Sequence, residues 1–308
     1  AGTYAGGLSA PLIVDLVGED EFAQAEGFTN GISQVITTVA QFVGSGLLLF
    51  LSYSNLAFVN AFTFLAAGLL YASVGVRHKK DNQPIEPQEV NEQKFFATMK
   101  TSYTQIKKAS GLLSVVLVIA LLNGALTSMG SLLPIIMAGN RSTMIISTYS
   151  FTLAVIGLVV SVGAILGSTF GPQLFKKQSV FFMVIVAIVL SVATTVAAVF
   201  ANIFAIMPFY FLLALVVSTA SLKMQQWLVT TIDRKILASS VGLLNTIVMA
   251  TSPVMTTVLT TISGLGDVRY ALFVLLAVEL IILFVAVKLS VKTKVNKEEV
   301  KSAVVVNK

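Results

Sequence analysis

Long apolar runs, each about the length of a bilayer crossing, alternate with polar breaks along this chain of 308 residues. Crossing roughly 30 Å of hydrocarbon at 1.5 Å per residue takes about 20 apolar residues, and hydrocarbon offers no partner to exposed backbone. Each run therefore predicts a helix. Eight qualify: 26–51, 56–76, 111–137, 147–171, 180–201, 204–224, 238–262 and 271–288. Residues 1–10 are small and apolar, as the last turns of a helix beginning upstream would be. Most connections are short. The exception, 77–110, carries Pro84, Pro87 and several charges before Phe95, Phe96, Met99, Tyr103 and Ile106 recur at helical spacing between lysines. That spacing predicts an amphipathic helix at the membrane surface leading into the third run, with a plain solvated linker as the other reading.

Composition agrees with lipid as the solvent. The chain is 56% hydrophobic and 11% charged, where a soluble domain carries about 25% charged residues. Its net charge of +6 follows membrane sidedness and not a nucleic-acid surface, since the basic residues sit between apolar runs. If the loops alternate between two sides, 18 of the 20 Lys and Arg residues fall on one side, leaving Arg141 and Arg269 opposite. Positive residues gather in the cytoplasm, so the long loop and the C-terminus are expected there. With no cysteine and one histidine, His78, the chain offers neither a disulfide framework nor zinc-ligand spacing.

An internal repeat sharpens the organisation. FAQAEGFTN over 22–30 and LASSVGLLN over 237–245 share Ala, Gly and Asn at an offset of 215. The register continues through Ile32 and Val39, which meet Ile247 and Val254, and through Phe58 and Val59, which meet Phe273 and Val274. If the first two spans repeat the last two, the four between them have counterparts upstream, and the parent is a protein of six plus six helices.

Particular stretches resemble the macrolide-efflux and enterobactin-exporter branch of the major facilitator superfamily. APLIVDLVGEDEFAQAEGFTN over 10–30 is similar to that branch's entry into helix 5, and residues 121–134, from LLNG to LP, resemble its helix 7. QQWLVTTIDRKILASSVGLLN over 225–245 resembles its segment between helices 10 and 11, and the basic amphipathic lead-in also agrees. The resemblance implies an all-α, polytopic major facilitator fold with eight transmembrane helices present, equivalent to helices 5 to 12 of twelve. The parts are then 1–76 (the end of helix 4 with helices 5 and 6), 77–110 (a cytoplasmic central loop), 111–289 (the C-terminal six-helix half) and 290–308 (a cytoplasmic tail). One feature departs from the family pattern. The loop GPQLFKK over 171–177 lacks the acidic member of the family's Gly-acidic-basic signature, which puts its latching role in doubt.

Polar positions inside the spans are the candidates for transport. Asn30, Gln34, Thr37 and Gln41 lie on one helical face, and the repeat offset maps them to Asn245, Met249, Ser252 and Thr256. Asn123, Thr127 and Ser131 form a third such face. Amides and hydroxyls avoid lipid, so these faces are expected to look toward one another or toward a wet pathway. The same residue types also bond packed helices together, and both roles stay open. Gly163, Gly167 and Gly171, four apart, read as a close-packing stripe. Glu279 lies well inside the last span, where an unpaired charge costs at least about 3 kcal/mol, and is a proton-coupling candidate; a bonded structural carboxyl is the alternative. Glu26 and Lys223 stand near span ends and are expected to reach water.

No nucleotide-binding loop occurs, and no nucleophile is accompanied by a base, so an enzyme in the membrane is the remote reading. The resemblance implies export of a bulky amphipathic small molecule, a macrolide-like drug or a siderophore, by alternating access across a bacterial cell membrane. The expected partners are the cargo, the lipid bilayer, a proton gradient and the missing N-terminal helices, with no cofactor and no nucleic acid. A transport-inactive fragment or split half of such a permease is the alternative.

Overall fold

In the computed structural model, residues 13, 17–18, 21–47, 53–73, 100–104, 106–107, 111–232 and 234–306 are described. The apolar runs become helices because an α-helix satisfies its backbone within itself. Among the described residues there are eight long ones: α1 (Phe22–Leu47), α2 (Tyr53–Ser73), α3 (Leu112–Gly139), α4 (Tyr149–Leu174), α5 (Val180–Val199), α6 (Ile203–Thr231), α7 (Arg234–Gly264) and α8 (Val268–Val306). A single helical turn, Arg141–Met144, links α3 to α4. Several helices outrun their apolar stretches. α6 continues past Met224 to Thr231, and α8 past Lys288 to Val306, because a helix need not stop where its side chains become polar.

The ends are set by local chemistry. Thr148 accepts from Phe151 N at 3.2 Å and Ser179 from Phe182 N at 3.2 Å, capping α4 and α5. Asn202 accepts from Phe204 N and Ala205 N at the start of α6. Each supplies an acceptor to amide groups that lack one within the helix. Pro134, Pro172, Pro208 and Pro253 lie inside helices that continue through them.

Among the described residues six helices, α3 to α8, are long and apolar enough to cross a membrane. Their surroundings fit lipid, since large apolar side chains such as Phe151, Phe204, Phe273 and Phe284 are exposed on the outside of the bundle. An exposed apolar surface this extensive is foreign to a soluble monomer. α1 carries a polar stripe, and α2 contributes the shorter apolar segment Ala57–Ala66.

The most extensive packing joins α4 to α6 and α3 to α7, with α5 against α6 and α8, and α1 against α4. α2 makes few contacts with the other described helices. Following the chain, the lysines at 176, 177, 223 and 288 come at one end of the bundle, called here the basic end, and Arg141 and Arg269 at the other. One apolar core, including Leu112, Met183, Ile188 and Leu213, occupies the basic half. A second, including Leu132, Ile136, Ile206 and Leu275, fills the opposite half.

The long connection falls mostly outside the described residues, including Phe95, Phe96 and Met99. Residues 100–104 and 106–107 are helical. There Ile106 is fully buried in the basic-half core, and Ser102 pairs with Ser239 at 2.7 Å. This piece is thus pinned to the bundle at α7.

The glycine stripe behaves as its spacing implies. A Cβ at Gly163 or Gly167 would collide with the carbonyl oxygens of Phe211 or Leu215, and one at Gly171 with Thr219. Thr219 Oγ1 in turn donates to Gly167 O at 3.0 Å. Backbone-to-backbone approach of this kind is how helices gain contact where lipid supplies no hydrophobic drive. Gly167→Leu is expected to cost about 1–3 kcal/mol by forcing α4 and α6 apart. Gly130→Ala, where nothing lies within 4 Å, is expected to be tolerated or to stabilise by up to about 1 kcal/mol. Thermal unfolding of the two purified variants checks this, and equal melting temperatures would refute it.

Candidate functional site

Helical spacing places Glu26, Thr29, Asn30 and Ser33 on one face of α1, and that face looks into a cavity of about 510 Å³. α7 contributes Val241, Leu244, Asn245 and Val248. These are the same four positions shifted by the repeat offset of 215, so the two helices present equivalent faces to one space. α3 adds Val116, Ile119, Leu122, Asn123 and Leu126. α6 adds Ser221, Met224, Gln225 and other residues, and α5 adds Val184 and Ala187. The segments are the starts of α1, α3, α5 and α7 and the later part of α6, so the cavity lies in the basic half. Toward the other end the buried cluster around Met129, Leu132 and Leu259 closes the interior.

Chemically the wall is apolar with a few polar groups, the usual pattern of a small-molecule site. Asparagines 30, 123 and 245 enter it from three helices, with Gln225 and Ser221 from a fourth. Its one ionisable lining residue among those described is Glu26. A second recess, of about 710 Å³ at the opposite end, is lined only by residues between Pro134 and Tyr149. It belongs to a single connection and does not gather helices.

The structure brings Asn30, Asn123 and Asn245 together on the cavity and places the other candidates whose side chains are described elsewhere. Gln34 donates to Ser161 Oγ at 3.0 Å and ties α1 to α4. Thr37 bonds its own helix at Ser33 O, and the Gln41 side chain lies outside the described residues. Thr127 donates to Asn123 O at 2.8 Å and Ser131 to Thr127 O at 3.1 Å. Ser252 accepts from Asn123 at 2.9 Å, Thr256 lies 3.3 Å from Ser128 Oγ, and Met249 is 54% exposed. Asn123 holds both roles at once, because its amide also donates to Val248 O at 3.1 Å while its side chain borders the cavity. Thr251 donates to Ala120 O across the same interface.

Glu26 corrects an expectation. Instead of projecting to the outside it lies on the cavity wall and is only 8% exposed, Oε1 accepts from Asn30 at 3.3 Å, and Oε2 is buried without a partner. The sequence held a usable signal, since Glu26 precedes Asn30 by four residues and so shares its face. Lys223 uses its ammonium at the α4–α5 turn, donating to Gln178 O at 2.7 Å.

Glu279 stands apart from the cavity, fully buried where α8 meets α5. Its Oε1 accepts from Ser191 at 2.5 Å, and its Oε2 has no partner. The hydroxyls of Thr195 and Tyr210 are also buried without partners, and Tyr210 is close enough to Glu279 to interact with it electrostatically.

Residues 4–252 match the family model described as Major Facilitator Superfamily. No curated protein matches the chain.

Bonds from Asn123 to α7 are expected to contribute measurably to the α3–α7 contact. Asn123→Ala should destabilise the protein by about 1 kcal/mol, and the double-mutant cycle with Ser252→Ala should show coupling near 0.6 kcal/mol. Unfolding in mixed micelles measures both, and strictly additive losses would mean that this bond contributes nothing.

Proposed function

We infer the function from one premise: the chain belongs to the major facilitator superfamily, whose members are transporters. It is a multi-pass membrane protein that moves a small molecule. We propose, further, that the cargo is a bulky amphipathic compound, a macrolide-like drug or a siderophore, exported by alternating access and driven by a proton gradient.

The observation that carries this reading is the repeat-matched lining of the cavity. The same four positions of α1 and α7 border one space, as expected where two related halves enclose a substrate path. A cavity in the basic half with an apolar closure in the other half fits one of the two states that alternating access requires. The volume and the mixed wall suit an organic molecule better than a bare ion.

In this proposal α1 and α2 also cross the membrane, as helices 5 and 6 of twelve, with α3 to α8 as helices 7 to 12. The repeat offset supports that numbering. The basic end faces the cytoplasm of a bacterial cell, following the distribution of lysine and arginine. Glu279 takes up and releases the coupling proton, a role supported by its full burial and by the hydroxyls of Ser191 and Thr195 beside its carboxyl. Intramembrane carboxyls of this kind mark proton relays.

Cells expressing a full-length twelve-helix permease that includes this chain are expected to accumulate less of a labelled macrolide than control cells, and a protonophore should abolish the difference. Equal accumulation would remove the macrolide assignment, and extrusion that survives the protonophore would remove proton drive. Glu279→Gln is expected to abolish uphill extrusion while leaving downhill exchange of the label in place. Undiminished uphill extrusion by that variant would free Glu279 of the coupling role.

A further inference from the structure

Glu279 stands at the centre of the apolar stretch Val268–Val291 and is fully buried. Among the described residues no fixed charge neutralises it. α3 and α5, which pack on α8, carry no Asp, Glu, Lys, Arg, His or Tyr along their lengths. On α7, which also packs on α8, the charged residues are Arg234 and Lys235, and both precede its apolar stretch Ser239–Gly264. α6 brings Tyr210 and, thirteen residues on, Lys223 at the basic end. Within α8 the nearest cations are Lys288 and Arg269, nine and ten residues away, or about 14 Å along the axis. A carboxylate at this depth needs a mobile countercharge, since an uncompensated one is costly in hydrocarbon.

A proton is one such countercharge, but the side chains around the carboxyl offer more than a proton uses. The Ser191 hydroxyl holds Oε1 at 2.5 Å, and Oε2 is left without a hydrogen-bond partner. Thr195, one turn beyond Ser191 on α5, stands beside the carboxyl. From α6 the Tyr210 hydroxyl comes close enough to interact with it electrostatically. Both of those hydroxyls are buried and make no hydrogen bond. Three buried oxygens without partners, from α5, α6 and α8, thus sit together, where buried polar atoms are ordinarily paired. The donor set is all oxygen, which suits a hard cation. One carboxylate among neutral hydroxyls balances a monovalent ion, whereas a divalent one would leave a net positive charge buried in the bilayer.

We propose that Glu279, Thr195 and Tyr210 form a binding site for a small alkali cation of the sodium class, bound through Glu279 Oε2 and the two hydroxyl oxygens while Ser191 holds the carboxyl in place. The inference rests on the reading of Glu279 as the coupling group and adds a second ion that this group carries. Exchange is one for one: the carboxyl O–H bond breaks, the proton leaves to water, and the cation coordinates the carboxylate oxygen, so the charge of the site stays constant. Sodium ions and protons therefore compete for one place.

The test uses this chain purified in lipid nanodiscs, since α5, α6 and α8 hold every residue concerned, with radioactive sodium as the probe and choline as a bulky cation for comparison. Saturable sodium binding is expected, displaced by unlabelled sodium and by acidification but not by choline. Glu279→Gln is expected to remove it. Thr195→Val and Tyr210→Phe, which keep their shapes and lose one hydroxyl each, should weaken it about tenfold, with melting temperatures in choline chloride showing that each variant is folded. No saturable binding, the result if water alone fills the space, would overturn the proposal. So would binding that is unchanged in Glu279→Gln, in both hydroxyl variants or on acidification, or that choline displaces as well as sodium does. Loss of uphill extrusion in Glu279→Gln without any sodium binding would sink this inference and leave the coupling reading standing; Glu279-dependent sodium binding with undiminished extrusion would do the reverse.

Discussion

Hydrocarbon gives a peptide group nothing to bond with, and the architecture of this protein is an answer to that condition. Every long segment described is a helix, since only a helix satisfies a lone crossing chain internally. The same condition acts on side chains. Between α3 and α7 hydroxyls and an amide bond each other, as with Asn123 and Ser252 and with Ser128 and Thr256. Apolar groups face outward without penalty, which reverses the usual arrangement of a soluble protein.

Because lipid is as apolar as leucine, helix association must come from close fit and from these polar bonds. α4 and α6 illustrate the first, with three glycines laid against the backbone or side chain of the partner. α3 and α7 illustrate the second, with Asn123 and Thr251 bonding across the interface. The two pairs are the most extensive contacts of the bundle, and they leave the cavity between α1, α3, α6 and α7. The site is therefore a consequence of which faces pack by contact and which are left polar.

Two buried carboxyls then stand out, each with one partnered and one partnerless oxygen. Glu26 borders the cavity, and Glu279 lies beyond it between α5 and α8. Of the four repeat-matched lining positions only Asn30 and Asn245 agree, while Glu26, Thr29 and Ser33 meet Val241, Leu244 and Val248, so α1 presents the more polar wall.

Much of this was legible in the residues because the bilayer imposes a length and a polarity that a run of letters records. The helices, the repeat offset and the role of the glycine stripe all follow from spacing along one chain. Spacing places Asn30, Gln34 and Thr37 on one face but says nothing of which neighbour that face meets at each level. The tertiary structure decided it: Gln34 is drawn to Ser161, while Asn30 joins Asn123 and Asn245 at the cavity. Glu26 shows the same limit most plainly. Its position near a helix start pointed to water, and the surrounding helices leave it only 8% exposed on the cavity wall, because burial is a property of neighbours and not of sequence position.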